Sequence, residues 1–311
     1  MMRYHYILIF ALTVILVGCG GEATPESKQS AAPRDWSNAD VDAVVSITLE
    51  KIVSPLTGVA AAAPDACDSI QFLRMKHSDG PDSASDADAV FMMMPGILEG
   101  ANGFEYIGRQ MVYIAEQFYG EHIEVWGVDR RANCLEDLYA FNYVEKNSVT
   151  PAEAEDILLG YYFKDEPHNG KTFDGFLKSA QLPYLEAFGM ALATEDMFTI
   201  MKTMMPNQAN RQSKLFVGGH SLGGIHTSIF LAWDQDGDPS TTDDAGYANT
   251  AGAFALDSIL TPLNDIPNYI ASMVPFNLGK LGLPIVNFGT KIGYKAAVAG
   301  LANNTVLRTT T

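Results

Sequence analysis

The amino-acid sequence predicts an α/β fold, in which a mostly parallel, twisted sheet is flanked by helices. The first observation is a strand, helix, strand succession across residues 90–129, the pattern of a parallel βαβ unit. The second is the apolar run from Lys214 to Gly219, which leads directly into a helix-like segment ending at Trp233. With 311 residues, 47% of them hydrophobic, the chain is long and apolar enough to bury a substantial core.

The N-terminus has the features of a targeting segment. Arg3 is followed by an apolar run from Tyr6 to Val17, which is short for a membrane-spanning helix, and then by small residues. This pattern predicts a signal peptide over residues 1–18. Its end, "LVGCGG", resembles a bacterial lipoprotein signal, which implies that Cys19 becomes a lipidated first residue. An ordinary signal with a chance cysteine is the alternative.

Residues 19–40 are polar and rich in small residues and proline, and we interpret them as a flexible tether. Together with the signal, they place the protein in the bacterial cell envelope, held to a membrane by its lipid and facing the periplasm or the exterior. The formal net charge of −17 repels phosphate backbones, so no nucleic-acid partner is expected.

The predicted core covers residues 41–258 and carries a mainly helical insertion at about residues 131–212. Apolar runs bounded by turn residues predict strands at 69–77, 90–96, 122–129, 214–219 and 251–258. Helical spacing and start signals predict helices at 104–119, 150–163, 182–206 and 221–233. Residues 259–311 are apolar, broken by prolines, and are interpreted as the start of an incomplete lid or cap.

The sequence Gly219-His220-Ser221-Leu222-Gly223 is a G-x-S-x-G motif between a predicted strand and a predicted helix. In this context the serine occupies a strained turn that exposes its hydroxyl, and glycines stand where side chains would collide with neighbouring backbone. The following helix presents its N-terminus to developing negative charge. The pattern predicts that Ser221 is a nucleophile; a glycine-rich turn with an incidental serine is the alternative.

The stretch "GGHSLGG" resembles the nucleophile elbow of the α/β-hydrolase superfamily, and "FMMMPGILEG" resembles its oxyanion strand and loop. The resemblance covers residues 69–258. It implies hydrolysis of an ester-type bond in a small-molecule or lipid substrate, without a required cofactor. The oxyanion would be held by the backbone N–H groups of Ile97 and Leu222. Amidase, thioesterase and peptidase chemistry use the same elbow and stay open.

Besides Cys19, the chain has two cysteines, Cys67 and Cys134. The residues alone permit either a disulfide between them or two buried thiols. In the superfamily, the strand before the oxyanion strand is antiparallel to the strand that corresponds to residues 122–129. The resemblance therefore places both cysteines at one edge of the sheet and favours the disulfide.

A serine nucleophile needs a base and an acid, which follow it in that superfamily in the order serine, acid, histidine. Histidine occurs at His5, His77, His122, His168, His220 and His226. Since none follows Thr227, no catalytic histidine is identified. His220 is expected to pack aside within the motif, and His226 lies about 140° round the helix from Ser221. His122 or His168 acting by an unusual route is a further alternative.

Asp257 ends the strand after the elbow helix, one of the places where the superfamily carries its acid. The alternative is a strand-end aspartate that binds nearby backbone donors. Only one convincing strand follows the elbow helix, where the superfamily usually has three, so we expect the C-terminal strands to be missing from a shortened hydrolase. A complete protein that binds rather than hydrolyses is the rival hypothesis.

Two charged stretches offer further candidates. "DQDGDPSTTDD" places Asp234, Asp236 and Asp238 at alternate positions, a spacing that suits calcium, although it departs from the EF-hand and a solvated acidic loop is the favoured interpretation. After the second predicted strand come Asp129, Arg130 and Arg131. These three predict a structural ion-pair cluster, with the substrate mouth as the alternative. Glu99 is expected to be merely exposed.

Overall fold

The computed structural model describes residues 36–97 and 99–258. The predicted signal peptide with Cys19, most of the predicted tether, and the predicted lid at 259–311 lie outside the described residues. Within the described part of the chain, none of the helices combines the length and the apolar character that crossing a bilayer requires.

Six strands form a single sheet, and four of them are mutually parallel. They are β1 (Val45–Val53), β2 (Ser69–His77), β3 (Ala89–Met94), β4 (Ile123–Val128), β5 (Leu215–His220) and β6 (Gly252–Leu256). Their order across the sheet is β1-β2-β4-β3-β5-β6, with β3, β4, β5 and β6 parallel and with antiparallel β1–β2 and β2–β4 pairs. The predicted fold class, a mostly parallel sheet flanked by helices, is confirmed.

The helices are α1 (Asn38–Asp42), α2 (Glu105–Ile114), α3 (Tyr139–Lys146), α4 (Pro151–Phe163), α5 (Met190–Met204), α6 (Gln208–Lys214) and α7 (Leu222–Ala232). Local sequence explains their ends. Thr150 and Glu153 form a capping box at the start of α4, with proline at its first position. A π-helical turn extends α2 to Tyr119, and Gly120, at φ 68°, ends it in the left-handed conformation.

Helices cover both faces of the sheet. On one face α2 packs so closely on β2 and β4 that a Cβ on Gly108 would lie 3.0 Å from the Val125 side chain. On the other face the side chains of Phe72, Met92 and Trp126 form the main core with residues of α5 and α7. The alternation of side chains along each strand places these two sets on opposite sides.

The register brings four strand ends to one edge of the sheet. Met94 of β3 lies opposite Gly219 of β5, and His220 lies opposite Leu256 of β6. Because parallel strands share a direction, the loops that follow β3, β4, β5 and β6 all leave from this carboxyl edge. Residues that are far apart in the sequence therefore lie close together at this edge.

β1 and α5 are two of the places where the structure differs from the predicted elements. β1 was not predicted, although "VSITLEKIV" alternates apolar and polar residues as a strand does. The helix predicted at 182–206 begins only at Met190, because Gly189 has an extended backbone at φ −90° and ψ −163°. A short 3-10 turn, Pro183–Ala187, precedes it.

A disulfide joins Cys67 to Cys134, with their Cα atoms 5.0 Å apart. This is the pairing that the resemblance implied. Beside it, Arg131 donates hydrogen bonds to the carbonyls of Ser54 at 2.8 Å and Cys67 at 3.0 Å, and it forms a buried, two-pronged ion pair with Asp196. The start of β2, the turn after β4 and helix α5 are thereby fastened together.

Candidate active site

Ser221 occupies the sharp turn between β5 and α7 with φ 51° and ψ −114°. A positive φ is uncommon for a residue that carries a side chain, and it persists only where the surroundings enforce it. Here the Ser221 N–H donates to the Leu256 carbonyl at 3.1 Å, and the Ser258 hydroxyl donates to the Ser221 carbonyl at 2.5 Å. Both the N–H and the carbonyl of the strained serine are thus held by the last residue of β6 and the residues that follow it.

The two motif glycines are required by crowding. A Cβ on Gly219 would lie 2.8 Å from the Cα of Gly223, and a Cβ on Gly223 would overlap the carbonyl of Met94. Real Cβ atoms do not approach backbone so closely. The predicted physical reason for glycine on either side of the serine, collision with neighbouring backbone, is present in the structure.

The backbone N–H groups of Ile97 and Leu222 were predicted to hold an oxyanion. Ile97 follows β3, and Leu222 is the first residue of α7. Among the described residues neither N–H donates a hydrogen bond, and both residues are partly exposed. The first N–H groups of a helix have no partner within it, so that of Leu222 is available to an anion at this edge.

Glu99 and His220 link the loop after β3 to the elbow. One Glu99 carboxylate oxygen accepts the Gly96 N–H at 2.7 Å, and the other lies 2.7 Å from Nδ1 of His220. The expectation that Glu99 is merely exposed is therefore wrong. His220 thus has a carboxylate partner that the sequence did not reveal.

Asp257 lies near the other ring nitrogen of His220. Its Oδ2 lies 4.0 Å from Nε2 of His220, its side chain is 98% exposed, and its backbone has φ 46°. The structure places it at the carboxyl edge, where an acid of the site would be expected. Its role as the acid stays a prediction.

The charged side chains of residues 129–131 bind different partners, and the ion pair found there joins Arg131 to Asp196. Asp129 accepts the Ala101 N–H at 2.7 Å, whereas Arg130 donates to the carbonyls of Gly96, Ile97 and Glu99. Arg131 turns the other way, toward Asp196. Successive side chains at the strand end diverge, and two of the three brace the loop after β3.

His226 lies buried on α7 and makes no hydrogen bond to the Ser221 hydroxyl among the described residues. Burial lowers its pKa to about 4, and the nearby positive charge of Arg130 adds to the effect. Its Nδ1 is shielded from solvent without a hydrogen-bond partner among the described residues. The imidazole is consequently neutral near pH 7.

The upstream histidines are accounted for as well. His122 immediately precedes β4, and His77 ends β2, which runs antiparallel to β4, so both lie at the amino end of β4. The centroids of their rings are 5.7 Å apart. Both histidines are thus at the opposite edge of the sheet from Ser221. His168 packs against Tyr143 in the insertion, with ring centroids 4.2 Å apart. In residues 36–97 and 99–258 no imidazole is hydrogen-bonded to the Ser221 hydroxyl.

The acidic loop after α7 gathers three carboxylates, but in a different combination from the predicted one. Ligand atoms of Asp234, Asp236 and Asp244 lie within 4.8 Å of one another. Asp238 is drawn away because its carboxylate accepts the Ser240 N–H at 2.9 Å and the Ser240 hydroxyl at 2.7 Å. Asp244 takes its place, since the loop folds back through the Asp234–Ala245 bridge.

No protein-family model matches the chain. No curated protein matches it either. Among solved structures, it is similar to the apoenzyme of the S-formylglutathione hydrolase FrmB from Staphylococcus aureus, at 10% identity and a TM-score of 0.33, covering 84% of this chain and 96% of that chain. A likeness at this level carries no argument, and the fold described above rests on strand order and register.

Proposed function

We propose that the protein is an exported serine hydrolase that transfers the acyl group of an ester to water through Ser221. The observation that carries the proposal is the backbone of Ser221, held at φ 51° at a strand-to-helix junction. With ψ at −114°, Ser221 also lies outside the left-handed region that turn residues with side chains ordinarily adopt, so its backbone is strained. This strain has a purpose if the hydroxyl must stand clear of the sheet to meet a substrate.

In the proposed reaction the Ser221 hydroxyl attacks the ester carbonyl and the carbonyl oxygen gains negative charge. The N–H groups of Ile97 and Leu222 then donate to that oxyanion. Expulsion of the alcohol leaves an acyl-serine, and water releases the acid. The proposed chemistry invokes no cofactor, because backbone dipoles supply the stabilisation of charge.

The substrate class we propose is a small-molecule or lipid ester, and the location is the bacterial cell envelope. The location rests on the signal-like segment at 1–18 and on Cys19 as the lipidated residue. Replacement of Cys19 by alanine is expected to abolish incorporation of labelled palmitate in cells. Undiminished incorporation in Cys19→Ala would remove the lipid anchor from the proposal.

A second candidate is a non-catalytic binding protein built on a hydrolase-like fold. The observation that favours it is His220, the histidine beside the nucleophile, which is engaged with Glu99 rather than with the Ser221 hydroxyl. Such a protein would retain its ligand without turning it over.

Ester hydrolysis separates the two candidates. We expect the full chain to hydrolyse a series of 4-nitrophenyl esters, and Ser221→Ala to lose at least about 10⁴-fold in kcat. If the wild type binds an ester with the same affinity as Ser221→Ala and neither releases 4-nitrophenol, the binding protein becomes the better account.

A further inference from the structure

Arg130 makes an unusual set of hydrogen bonds at the end of β4. Its Nη1 donates to the Gly96 carbonyl at 2.5 Å, and its Nη2 donates to the carbonyls of Ile97 at 2.9 Å and Glu99 at 3.0 Å. All three acceptors belong to the loop between β3 and α2, residues 95–97 and 99–101, here called the β3–α2 loop. One planar guanidinium thus reaches three peptide groups of the segment that carries Ile97.

The first of these bonds fixes the direction of the N–H that the proposed reaction uses. The Gly96 carbonyl and the Ile97 N–H belong to the same peptide unit, which is planar and trans, so they point in opposite directions. A donor clamped on the oxygen therefore sets where the N–H points. A positive charge on that oxygen also polarises the amide and strengthens its N–H as a donor.

The Nη atoms of Arg130 donate to main-chain carbonyls of the β3–α2 loop. Its Nε is shielded from solvent without a hydrogen-bond partner among the described residues. Burial lowers the pKa of Arg130 to about 10, so the side chain is still charged at neutral pH. Burying this cation costs desolvation, which the negative charges of Glu99, Asp129 and Glu136 offset in part.

Other side chains also bind the β3–α2 loop, but at positions different from those that Arg130 binds. Glu99 binds the Gly96 N–H, and Asp129 binds the Ala101 N–H, so other side chains already anchor the two ends of the loop. The carbonyls on either side of Ile97 are held by Arg130.

We propose that Arg130 is a positioning residue for the oxyanion hole, which orients and polarises the Gly96–Ile97 peptide. The inference rests on the proposed function and adds a residue that acts through the backbone rather than by touching substrate. Its effect must appear when charge develops on the substrate oxygen, and therefore in kcat rather than in KM.

The test compares Arg130→Met and Arg130→Lys with Arg131→Lys, a matched change one residue away that does not reach the loop. With 4-nitrophenyl butyrate, Arg130→Met is expected to lose about 100-fold in kcat, with KM changed less than about threefold. Arg130→Lys keeps the charge without the planar fork and is expected to lose about tenfold. In Arg131→Lys, kcat per folded molecule should stay within about twofold.

Two readouts separate this role from a merely structural one. The affinity for a trifluoromethyl ketone, which forms a tetrahedral oxyanion with the serine, should fall in Arg130→Met by the same factor as kcat. Hydrogen–deuterium exchange of the Gly96 and Glu99 amides, measured without substrate, should become about tenfold faster or more.

The inference is overturned if Arg130→Met leaves kcat and ketone affinity unchanged, or if KM rises while kcat does not fall. A wild type inert toward both esters and a fluorophosphonate would contradict the proposed function instead. The exchange experiment then still decides the role of Arg130, because unchanged exchange would show that it does not hold the loop.

Discussion

Two neighbouring arginines at the end of β4 serve two different regions of the molecule. Arg130 points to the β3–α2 loop and binds main-chain oxygens, whereas Arg131 points to Asp196 and to the carbonyl of Cys67, beside the Cys67–Cys134 disulfide. The Arg131 region is cross-linked by a covalent bond and a buried ion pair. The Arg130 region is held by hydrogen bonds from side chains to the main chain of the loop and by the contact between Glu99 and His220.

Under the proposed function, the contrast separates a stabilising role from a catalytic one at a single strand end. A buried ion pair and a disulfide stabilise the folded chain with their partners already in place, and they need leave no N–H group open to a ligand. A site for a developing oxyanion needs its donors fixed before the reaction begins. Changes in the Arg131 region should therefore alter unfolding, and changes in the Arg130 region should alter catalysis.

The largest expected effect lies at the elbow itself. Gly223→Ala places a Cβ on the Met94 carbonyl, so β3 and the turn must separate and displace Ser221. We expect at least a 100-fold loss of kcat, since small displacements of a nucleophile have effects of about that size. The control is Gly189→Ala, where nothing lies within 4 Å of the added Cβ. Equal kcat in the two variants would contradict the crowding argument.

In the other region, Arg131→Met leaves Asp196 buried without its partner. We expect a loss of about 3–5 kcal/mol in the free energy of unfolding, measured in urea, with little change in kcat of the folded protein. The double variant Arg131→Met/Asp196→Leu should regain much of this loss, because neither charge then remains buried. A fall in kcat as large as that of Arg130→Met would erase the distinction between the two arginines.

The disulfide should contribute slightly less than the ion pair. It closes a loop with a sequence separation of 67 residues, and replacing both cysteines by serine should cost about 2–4 kcal/mol of unfolding free energy. Reductant should lower the stability of the wild type to that of the variant and leave the variant unchanged. Sensitivity of the variant to reductant would show that the effect comes from another source.

A smaller effect on stability is expected from the pH-dependent protonation of His226, which lies in α7 near Arg130. Its pKa falls from 6.5 to about 4 in the folded protein, so the unfolded chain binds this proton more strongly. Stability is therefore lost as pH falls from about 6.5 toward 4, by about 2 kcal/mol between pH 7 and pH 5. In His226→Leu, urea unfolding should show a correspondingly smaller loss over that interval. An identical loss in variant and wild type would contradict a buried neutral imidazole.

The smallest expected effect concerns the acidic loop. Its carboxylates are engaged within the loop, since Asp236 accepts the Asp238 N–H at 2.8 Å and Asp244 accepts the Asp236 N–H at 2.9 Å. We expect added calcium or a chelator to shift Tm by less than about 2 °C. A larger rise with calcium that Asp236→Asn removes would establish a cation site at Asp234, Asp236 and Asp244.

Much of the fold and the sharp turn at Ser221 could be predicted from the sequence, because local patterns determine them. The G-x-S-x-G motif after an apolar strand located Ser221, and apolar runs located β3, β4 and β5. The contacts of Glu99, Arg130 and Asp196 could not be predicted in this way. Each partner comes from a distant segment, and strand order and side-chain direction decide which residues meet at the carboxyl edge.

The claim on which the account depends is that Ser221 is a nucleophile. The direct measurement is labelling of the full chain by a fluorophosphonate, followed by digestion and mass spectrometry, with Ser221→Ala as the control. The account predicts one phosphonate adduct, on the peptide that contains Ser221, and none in the variant. Folded wild-type protein that takes up no label at Ser221 would contradict it.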